Sequence, residues 1–181
     1  MAAPDPRFAA YVPHVGERCP PVSAVVAETT EDEVPVLAAL QARARGGPAD
    51  AWADRIQRAR RADRSLVVTA KVAGEAVACA NAAFLPRHPS DHAPAGYYLT
   101  GVTVDDAWRR RGIATRLTRW RMDWVRERDS AIWCFVSARN PASLDLHADL
   151  GFERVRSGPS FQGIGFAGGK GWLLRAELPP A

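Results

Sequence analysis

Lysine is almost absent from this chain of 181 residues, in which two lysines stand against 22 arginines. Cysteine is also scarce, and the three thiols, Cys19, Cys79 and Cys134, show no CxxC spacing. We therefore expect small buried side chains rather than a disulfide framework or a metal site. No run approaches the ~20 apolar residues of a membrane span, and no signal-peptide pattern opens the sequence. These absences predict a cytoplasmic protein with no membrane partner.

The net charge of +4 is concentrated in one segment. Between Ala107 and Ser130 the chain carries eight arginines against three acidic residues. A nucleic acid would need a longer basic track together with aromatic stacking motifs, and the sequence offers neither. The cluster therefore predicts a local site for a small anion and no nucleic-acid partner.

The chain length fits one domain. Residues 1–21 are rich in proline and lack periodicity, which predicts an irregular N-terminal arm before a single domain over residues 22–181. A capping-box pattern at Thr30 and Glu33 predicts a helix that begins there. Strands are predicted at 22–27, 65–72, 75–84, 97–104, 131–136, 152–156 and 171–177, and helices at 30–45, 50–61, 112–128 and 141–150.

This order predicts an α/β (α+β) fold, in which a mixed, mostly antiparallel central sheet of about seven strands is flanked by about four helices. The longest predicted helix, 112–128, carries an apolar stripe at helical spacing. The stripe leaves the arginines of this helix on its other faces. Its members are Ile113, Leu117, Trp120 and Trp124.

The segment from Leu99 to Ala114 carries the strongest functional signal. A predicted strand runs through a short basic turn and directly into a helix that starts with Gly112. Unpaired N–H groups of a first helical turn and the helix dipole attract anions, and glycine lets a phosphate approach the backbone. The segment therefore predicts a phosphate-binding site.

Two motifs resemble one family. Arg109-x-x-Gly112-x-Ala114 resembles the Q/R-x-x-G-x-G/A signature with which GNAT acetyltransferases bind the pyrophosphate of acetyl-CoA. Downstream, Asn140 and a short helix that leads into Leu150-Gly151-Phe152 resemble the second half of the same family. The resemblance spans residues 22–177 and implies splayed central strands, acetyl-CoA as the acyl donor and N-acetyl transfer as the reaction.

The resemblance also implies roles for individual residues. Backbone groups of Val102 and Val104 pair with pantetheine, and the N–H of Val104 faces the acetyl carbonyl as an oxyanion donor. Asn140 holds the pantetheine arm, with Ser143 nearby. The implied cofactor-binding set is Val102, Thr103, Val104, Arg109, Arg110, Arg111, Gly112, Ile113, Ala114, Thr115, Asn140, Ser143 and His147.

The family's usual Tyr, which protonates the departing sulfur, is replaced here by His147. A neutral imidazole can donate one N–H to sulfur, and a pKa near ~6.5 would make the cation accessible as well, so we expect His147 to be the acid. The alternative is that His147 only packs or hydrogen-bonds beside the thioester.

The general base is open, because the strand Tyr97–Gly101 lacks the family's usual Glu. The candidates are Asp91, His92, Glu28, Glu33 and ordered water. A metal site at His88, Asp91 and His92 is not favoured in a Pro-rich loop.

The acceptor is expected between the first helices and the loops 85–96 and 157–170. Its candidate walls are Tyr97, Tyr98, Phe161, Phe166 and Trp52. The C-terminal segment resembles that of actinobacterial GNAT proteins, some of which inactivate amino-sugar antibiotics. We therefore expect a small primary amine, with aminoglycosides as one class, and a monomer or homodimer. Alternatives are acetylation of a protein N-terminus or lysine, and a non-catalytic acyl-CoA-binding module.

Overall fold

The computed structural model describes residues 19–166 and 168–180. The predicted N-terminal arm lies outside the described residues except for 19–21, which belong to no helix or strand. Among the described helices, none combines the length and the apolar character needed to cross a membrane.

The described residues form nine strands, four α-helices and one 3-10 turn, Asp106–Trp108. The strands are β1 (Val25–Glu28), β2 (Ser65–Val72), β3 (Glu75–Leu85), β4 (Gly96–Val104), β5 (Ala131–Ser137), β6 (Glu153–Gly158), β7 (Ser160–Phe161), β8 (Ile164–Gly165) and β9 (Gly171–Glu177). The helices are α1 (Val34–Arg45), α2 (Ala49–Arg61), α3 (Ile113–Arg126) and α4 (Pro141–Ala148).

Seven strands form one sheet in the order β1-β2-β3-β4-β5-β9-β6, and β7 pairs with β8 in a separate hairpin. All neighbours in the sheet are antiparallel except β4 and β5, which are parallel. The predicted fold class, a mostly antiparallel seven-stranded sheet with four helices, is confirmed. The parallel pair follows from α3, which carries the chain back across the sheet between β4 and β5.

The helices cover the two faces of the sheet. Neighbouring residues of β2 point to opposite faces: Val67 packs in a cluster with α1 and α2, whereas Val68 packs in a cluster with α3. A third cluster lies beneath the loops that follow β3 and β6, and it contains Tyr98, Phe161 and Phe166. The two long loops are therefore anchored to the sheet by aromatic side chains.

Helix α1 begins at Val34, later than the capping-box pattern predicts. The N–H of Thr30 does donate to the Glu33 carboxylate at 3.1 Å. However, the same carboxylate accepts from the Thr69 hydroxyl at 2.8 Å and pairs with Lys71, and both of these residues lie on β2. These bonds hold Glu33 against the sheet, so residues 31–33 form a turn instead of the first turn of the helix.

The buried Glu33 carboxylate should stabilise the fold in a pH-dependent way. Burial alone would raise its pKa, but the hydrogen bonds from Lys71 and Thr69 lower the pKa below the ordinary 4.5. A carboxyl with a lowered pKa contributes stability above the unfolded-state value, and that contribution is lost as the pH falls. Glu33→Gln should therefore lower the free energy of unfolding by about 1–3 kcal/mol at pH 7 and by less near pH 3.

Urea unfolding at both pH values measures this difference. Glu31→Gln is the matched control, because the Glu31 side chain is 73% exposed and its contacts are surface contacts. Equal losses of stability in the two variants at pH 7 would contradict the assignment.

Candidate active site

The two parallel strands in the middle of the sheet diverge. β4 and β5 share one bridge, between Tyr98 and Trp133. Beyond this bridge β4 remains paired with β3 as far as Val104, but within the described part of the chain it has no partner on the β5 side. The strands therefore enclose a wedge, the β4–β5 opening, with its apex at the Tyr98–Trp133 pair.

The register determines which backbone groups of β4 face this opening. The N–H of Asp105 donates to the carbonyl of Val77, next to β3, at 2.9 Å. Successive peptide groups of a strand alternate in direction, so the N–H of Thr103 also faces β3. The N–H groups of Val102 and Val104 consequently face the β4–β5 opening.

Thr103 does not belong to the opening. Its side chain is 2% exposed and is held on the α1 face of the sheet by Gln41 at 2.9 Å and Arg45 at 3.1 Å. Because its backbone N–H also points to β3, the structure does not support the predicted contact between Thr103 and the cofactor. An alternating strand presents every second residue, and the sequence motif does not reveal which ones.

The first turn of α3 lies directly after the basic turn that follows β4. Gly112 caps the helix with a left-handed φ of 81°, and Arg110 also has a positive φ of 65°. The backbone N–H groups of residues 110–115 donate to no acceptor within residues 19–166 and 168–180. A Cβ built on Gly112 would meet nothing within 4 Å. The helix start is therefore an open set of amide donors with the dipole's positive end, as an anion site requires.

The arginines beside these amides are partly engaged with the protein. Arg109 pairs with Asp106 at 2.7 Å and its Nε donates to the carbonyl of Val104 at 3.3 Å. The guanidinium of Arg111 lies 5.7 Å from the centre of the Trp108 ring. Ile113 is 1% exposed, so only its backbone can face a ligand. The anion site formed by the amides of residues 110–115, the amide cradle, is therefore built mainly from backbone groups.

Asn140 begins helix α4 on the β5 side of the opening. Its Oδ1 accepts from the N–H of Ser143 at 3.0 Å and caps the helix, and Pro141 occupies the first helical position. The Nδ2 group of Asn140 has no acceptor within the described residues, and the side chain is half-buried. Asn140 thus presents an amide donor near the end of β5.

His147 lies one turn further along α4 and is 7% exposed. Its Nδ1 is 2.6 Å from the carbonyl oxygen of Ser143, so Nδ1 carries the proton and donates to that oxygen. The ring packs edge-on against Phe152, with centroids 5.1 Å apart. Burial lowers the pKa of His147 to about 4, and the positive charge of Arg121 adds to the effect.

The expectation that His147 titrates near its ordinary pKa is therefore wrong. At neutral pH the imidazole is uncharged, and its proton is already bonded to the Ser143 carbonyl. Nε2 then carries a lone pair and can only accept a hydrogen bond. A neutral His147 in this tautomer has no proton to donate to a departing sulfur.

The model of the acetyltransferase (GNAT) family matches residues 32–152, which is two thirds of the chain. The chain belongs to the GNAT family. It is accordingly an acetyltransferase that uses acetyl-CoA as the acyl donor.

Many solved structures share this GNAT fold. Ribosomal-protein-alanine N-acetyltransferase from Brucella melitensis is 22% identical, with a TM-score of 0.67 over 85% of this chain and 99% of that one. AAC(6')-Iy, solved with a CoA-acetylneamine bisubstrate analogue, is 22% identical with a TM-score of 0.61, over 74% of this chain and 93% of that one. A putative acetyltransferase from Salmonella typhimurium, solved with acetyl-CoA, is 14% identical with a TM-score of 0.69, over 88% of this chain and 96% of that one. A search of curated proteins finds no match.

Asp91, one candidate base of this GNAT enzyme, holds two loops together. Its carboxylate accepts from the N–H of Ala93 at 3.0 Å and of Gly163 at 2.9 Å, and it pairs with His88 at 3.1 Å. Burial would raise its pKa, but these hydrogen bonds lower the pKa below its ordinary value. A carboxylate stabilised in this way is a poor proton acceptor, so the structure does not support Asp91 as the base.

The other candidate bases, Glu33, Glu28 and His92, do not lie on β4 or α4. Glu33 is bound to β2, as described above, and Glu28 is exposed on β1, three strands away from β4. His92 is exposed in the loop after β3, with a positive φ of 54°. No group of three or more potential metal ligands occurs in the part of the chain that the structure describes. Ordered water, the remaining candidate, stays a prediction.

Most of the aromatic residues predicted to wall the acceptor site are core residues. Tyr98 and Phe161 are fully buried in the third cluster together with Phe166. Tyr97 packs on the opposite face, edge-on to Trp124 of α3 at 5.6 Å. Trp52 alone of the five is half-buried, and its Nε1 donates to the carbonyl of Gly46.

Two arginines that contact β4, the buried Arg121 and the half-buried Arg45, were not predicted from the sequence. Arg121 is 1% exposed on α3, although all arginines of this helix were expected outside its apolar stripe. It lies four residues after Leu117 and four before Val125, both fully buried, so strict helical spacing could have found it. Arg45, at the end of α1, donates from the other face to the carbonyl of Val102 at 3.3 Å.

The pKa of His147 generates a stability prediction. A histidine whose folded-state pKa is about 4 and whose ordinary pKa is 6.5 gains protons first in the unfolded state as the pH falls. Its contribution is therefore complete above pH 6.5 and declines toward pH 4. Between pH 7 and pH 5 the free energy of unfolding should fall by about 2 kcal/mol through this residue.

In the His147→Phe variant this pH dependence of stability should largely disappear. The control variant His92→Gln changes an exposed histidine and should keep the pH dependence of the wild type. Chemical denaturation of the three proteins at pH 7, 6 and 5 measures the slopes. An unchanged slope in His147→Phe would show that the imidazole is not held neutral.

Proposed function

We propose that this acetyltransferase moves the acetyl group of acetyl-CoA directly to a primary amine of a small molecule, with amino sugars such as aminoglycosides as the first class to test. The observation that carries this proposal is the β4–β5 opening. On one side lie the amides at the start of α3, which donate to no acceptor among residues 19–166 and 168–180, and on the other lies the capped start of α4. The opening supports a donor site, and the loops around it support a small acceptor.

The order of groups along the opening supports an assignment of the donor. The diphosphate would bind the amides of residues 110–115, with Asn140 as a further donor to the pantetheine arm. An arm entering from α3 passes Val104 first and Val102 next, since Val102 lies nearer the apex at Tyr98–Trp133. Val104 would therefore bind the arm, and the N–H of Val102 would face the thioester oxygen. This assignment exchanges the two roles that we expected from the sequence.

Acetyl-CoA supplies the activated acetyl group, and the chain provides the environment for its transfer. The N–H of Val102 would stabilise negative charge that develops on the thioester oxygen. A thiol of ordinary pKa, about 8.5, leaves readily as its anion, so the reaction does not depend on a proton from His147. With Asp91, Glu33 and Glu28 unsuited as bases, the amine would enter neutral or lose its proton to water.

The loops beside the sheet support a partly enclosed acceptor pocket. The Asp91 carboxylate and the Gly163 N–H join the two long loops, and Arg156 donates to the Asp91 carbonyl at 2.6 Å. Gln162 adds hydrogen bonds to the carbonyls of Pro86 and Pro94. Loops fixed in this way leave less space for a polypeptide than for a small amine, which favours the small acceptor.

Two other functions remain as outcomes of the experiments below. The fold similarity to ribosomal-protein-alanine N-acetyltransferase makes a peptide N-terminus the second acceptor class to test. Binding of acetyl-CoA without turnover on any amine would instead favour an acyl-CoA-binding module.

The amide cradle can be tested with two glycines in similar conformations. Gly112 and Gly74 have φ values of 81° and 86°, and a Cβ on either meets nothing within 4 Å. Gly112→Glu and Gly74→Glu should therefore lose similar stability through the left-handed conformation. Only Gly112→Glu adds negative charge at the helix start, and it should weaken acetyl-CoA binding by about 100-fold or more, a loss of about 2.7 kcal/mol.

Isothermal calorimetry with acetyl-CoA measures both affinities, and thermal unfolding checks both folds. Equal affinities in the two variants would remove the diphosphate from the start of α3.

The acceptor class can be identified by thiol release from acetyl-CoA. A panel of amino sugars, polyamines, amino acids and short peptides should give the highest kcat/KM for a small amine. Because His147 is uncharged and the Asp91 carboxylate is engaged by loop hydrogen bonds, we expect no enzymic base, and kcat/KM should rise with pH along with the neutral fraction of the amine. A preference for peptides would overturn the small-acceptor proposal, and a bell-shaped profile would require an enzymic base.

A further inference from the structure

Arg121 is buried in the core without an acidic partner. It is 1% exposed on α3, and no ion pair to it occurs among residues 19–166 and 168–180. Burial lowers its pKa to about 9, which still leaves the guanidinium charged at pH 7. Burying a charge is costly, and an apolar side chain of similar volume often gives equal or higher stability. A structural role alone therefore accounts poorly for an arginine here.

Four hydrogen bonds from the guanidinium go to neutral oxygens. Nη1 donates to the carbonyls of Asn81 at 2.8 Å and Gly101 at 3.0 Å. Nε donates to the carbonyl of Leu117 at 3.1 Å, and Nη2 to the hydroxyl of Thr118 at 3.0 Å. The two bonds from Nη1 thus connect α3 to β3 and β4 at one point.

That point is the irregularity in the β3–β4 pairing. The register shifts between Asn81 and Ala82, where Asn81 faces Gly101 and Ala82 faces Leu99, so Thr100 is the extra residue of a bulge. The carbonyls that Arg121 binds belong to the first regular pair after this bulge. Arg121 therefore fixes the segment of β4 where the β4–β5 opening widens.

The carbonyl of Gly101 and the N–H of Val102 belong to the same peptide group. A hydrogen bond from a cation to a peptide carbonyl polarises the group and makes its N–H a stronger donor. Of the two N–H groups shown to face the opening, those of Val102 and Val104, the N–H of Val102 lies nearer the apex. On the opposite face, Arg45 donates to the carbonyl of Val102 and holds the next peptide group.

We propose that Arg121 is a positioning residue for acyl transfer, which fixes the β4 bulge and polarises the Gly101–Val102 peptide so that the Val102 N–H binds the thioester oxygen more strongly. The inference rests on the proposed function, and it assigns to Arg121 an action through the backbone without contact with the substrate.

The experiment uses the full chain with [1-13C]acetyl-CoA in the absence of acceptor. Isotope-edited infrared spectroscopy reports the carbonyl stretch of the bound thioester, which moves to lower wavenumber when the oxygen accepts a stronger hydrogen bond. We expect a shift to lower wavenumber in the wild type, a smaller shift in Arg121→Met and an intermediate shift in Arg121→Lys. Arg119→Met is the matched control, because Arg119 is exposed on the same helix, and it should give the wild-type band.

Kinetics with the best acceptor of the panel provide the second readout. Arg121→Met should lower kcat by about 10- to 100-fold, less than the loss of a whole oxyanion donor, and should change KM for acetyl-CoA by less than about threefold. Arg121→Lys should restore part of kcat. Circular dichroism and thermal unfolding identify variants that are folded.

The outcomes separate this inference from the proposed function. A folded Arg121→Met with the wild-type band and kcat would overturn it, although the wild type still bound and used acetyl-CoA. If Arg121→Met does not fold, the wild type and Arg121→Lys test the inference. A wild-type band that is not shifted on binding would overturn the inference. A folded Arg121→Lys with the wild-type band and kcat would overturn it as well. Failure of the wild type to bind acetyl-CoA would instead contradict the proposed function.

Discussion

An inner strand of a sheet normally has hydrogen-bonded neighbours on both edges, and β4 does not meet this condition beyond Tyr98. Unpaired backbone groups in a protein interior are costly, so a strand with one open edge must be stabilised by other contacts or by a ligand. Helix α1 supplies one such contact through Arg45 on the Val102 carbonyl, and α3 fixes the other edge of β4 at the bulge with β3 through Arg121. The divergence of β4 and β5 therefore explains both the opening and the unusual side chains around it.

The elements were largely predictable because they depend on local patterns. The hairpin of β2 and β3 and the glycine-led start of α3 follow from apolar periodicity and turn residues, and the structure has them where the pattern indicates. The start of α1 did not follow, because the Glu33 carboxylate binds Thr69 and Lys71, which lie more than 30 residues away. A long-range contact of this kind leaves no local signal.

The site was predictable only in outline. The motif around Gly112 indicated the amide cradle, but the pKa of His147 and the use of Asp91 as a loop contact depend on burial and on partners distant in sequence. Arg121 shows a different limit. Its spacing to Leu117 and Val125 marks the buried face of α3, yet residue type argued for exposure, and only the carbonyls at the bulge explain why a cation is tolerated there.

The positive charge beside the β4–β5 opening affects how a bound amine loses its proton. Arg121 contributes to the lowered pKa of His147, so its positive field extends across the opening from α3 to α4. The same field acts on any amine bound against β4, where it disfavours the ammonium form and favours the neutral nucleophile. A carboxylate in the same place would have the opposite effect on the amine, although it could accept the proton. The buried Arg121, the half-buried Arg45 and the uncharged His147 would therefore favour the neutral amine, in keeping with the proposal that water takes its proton.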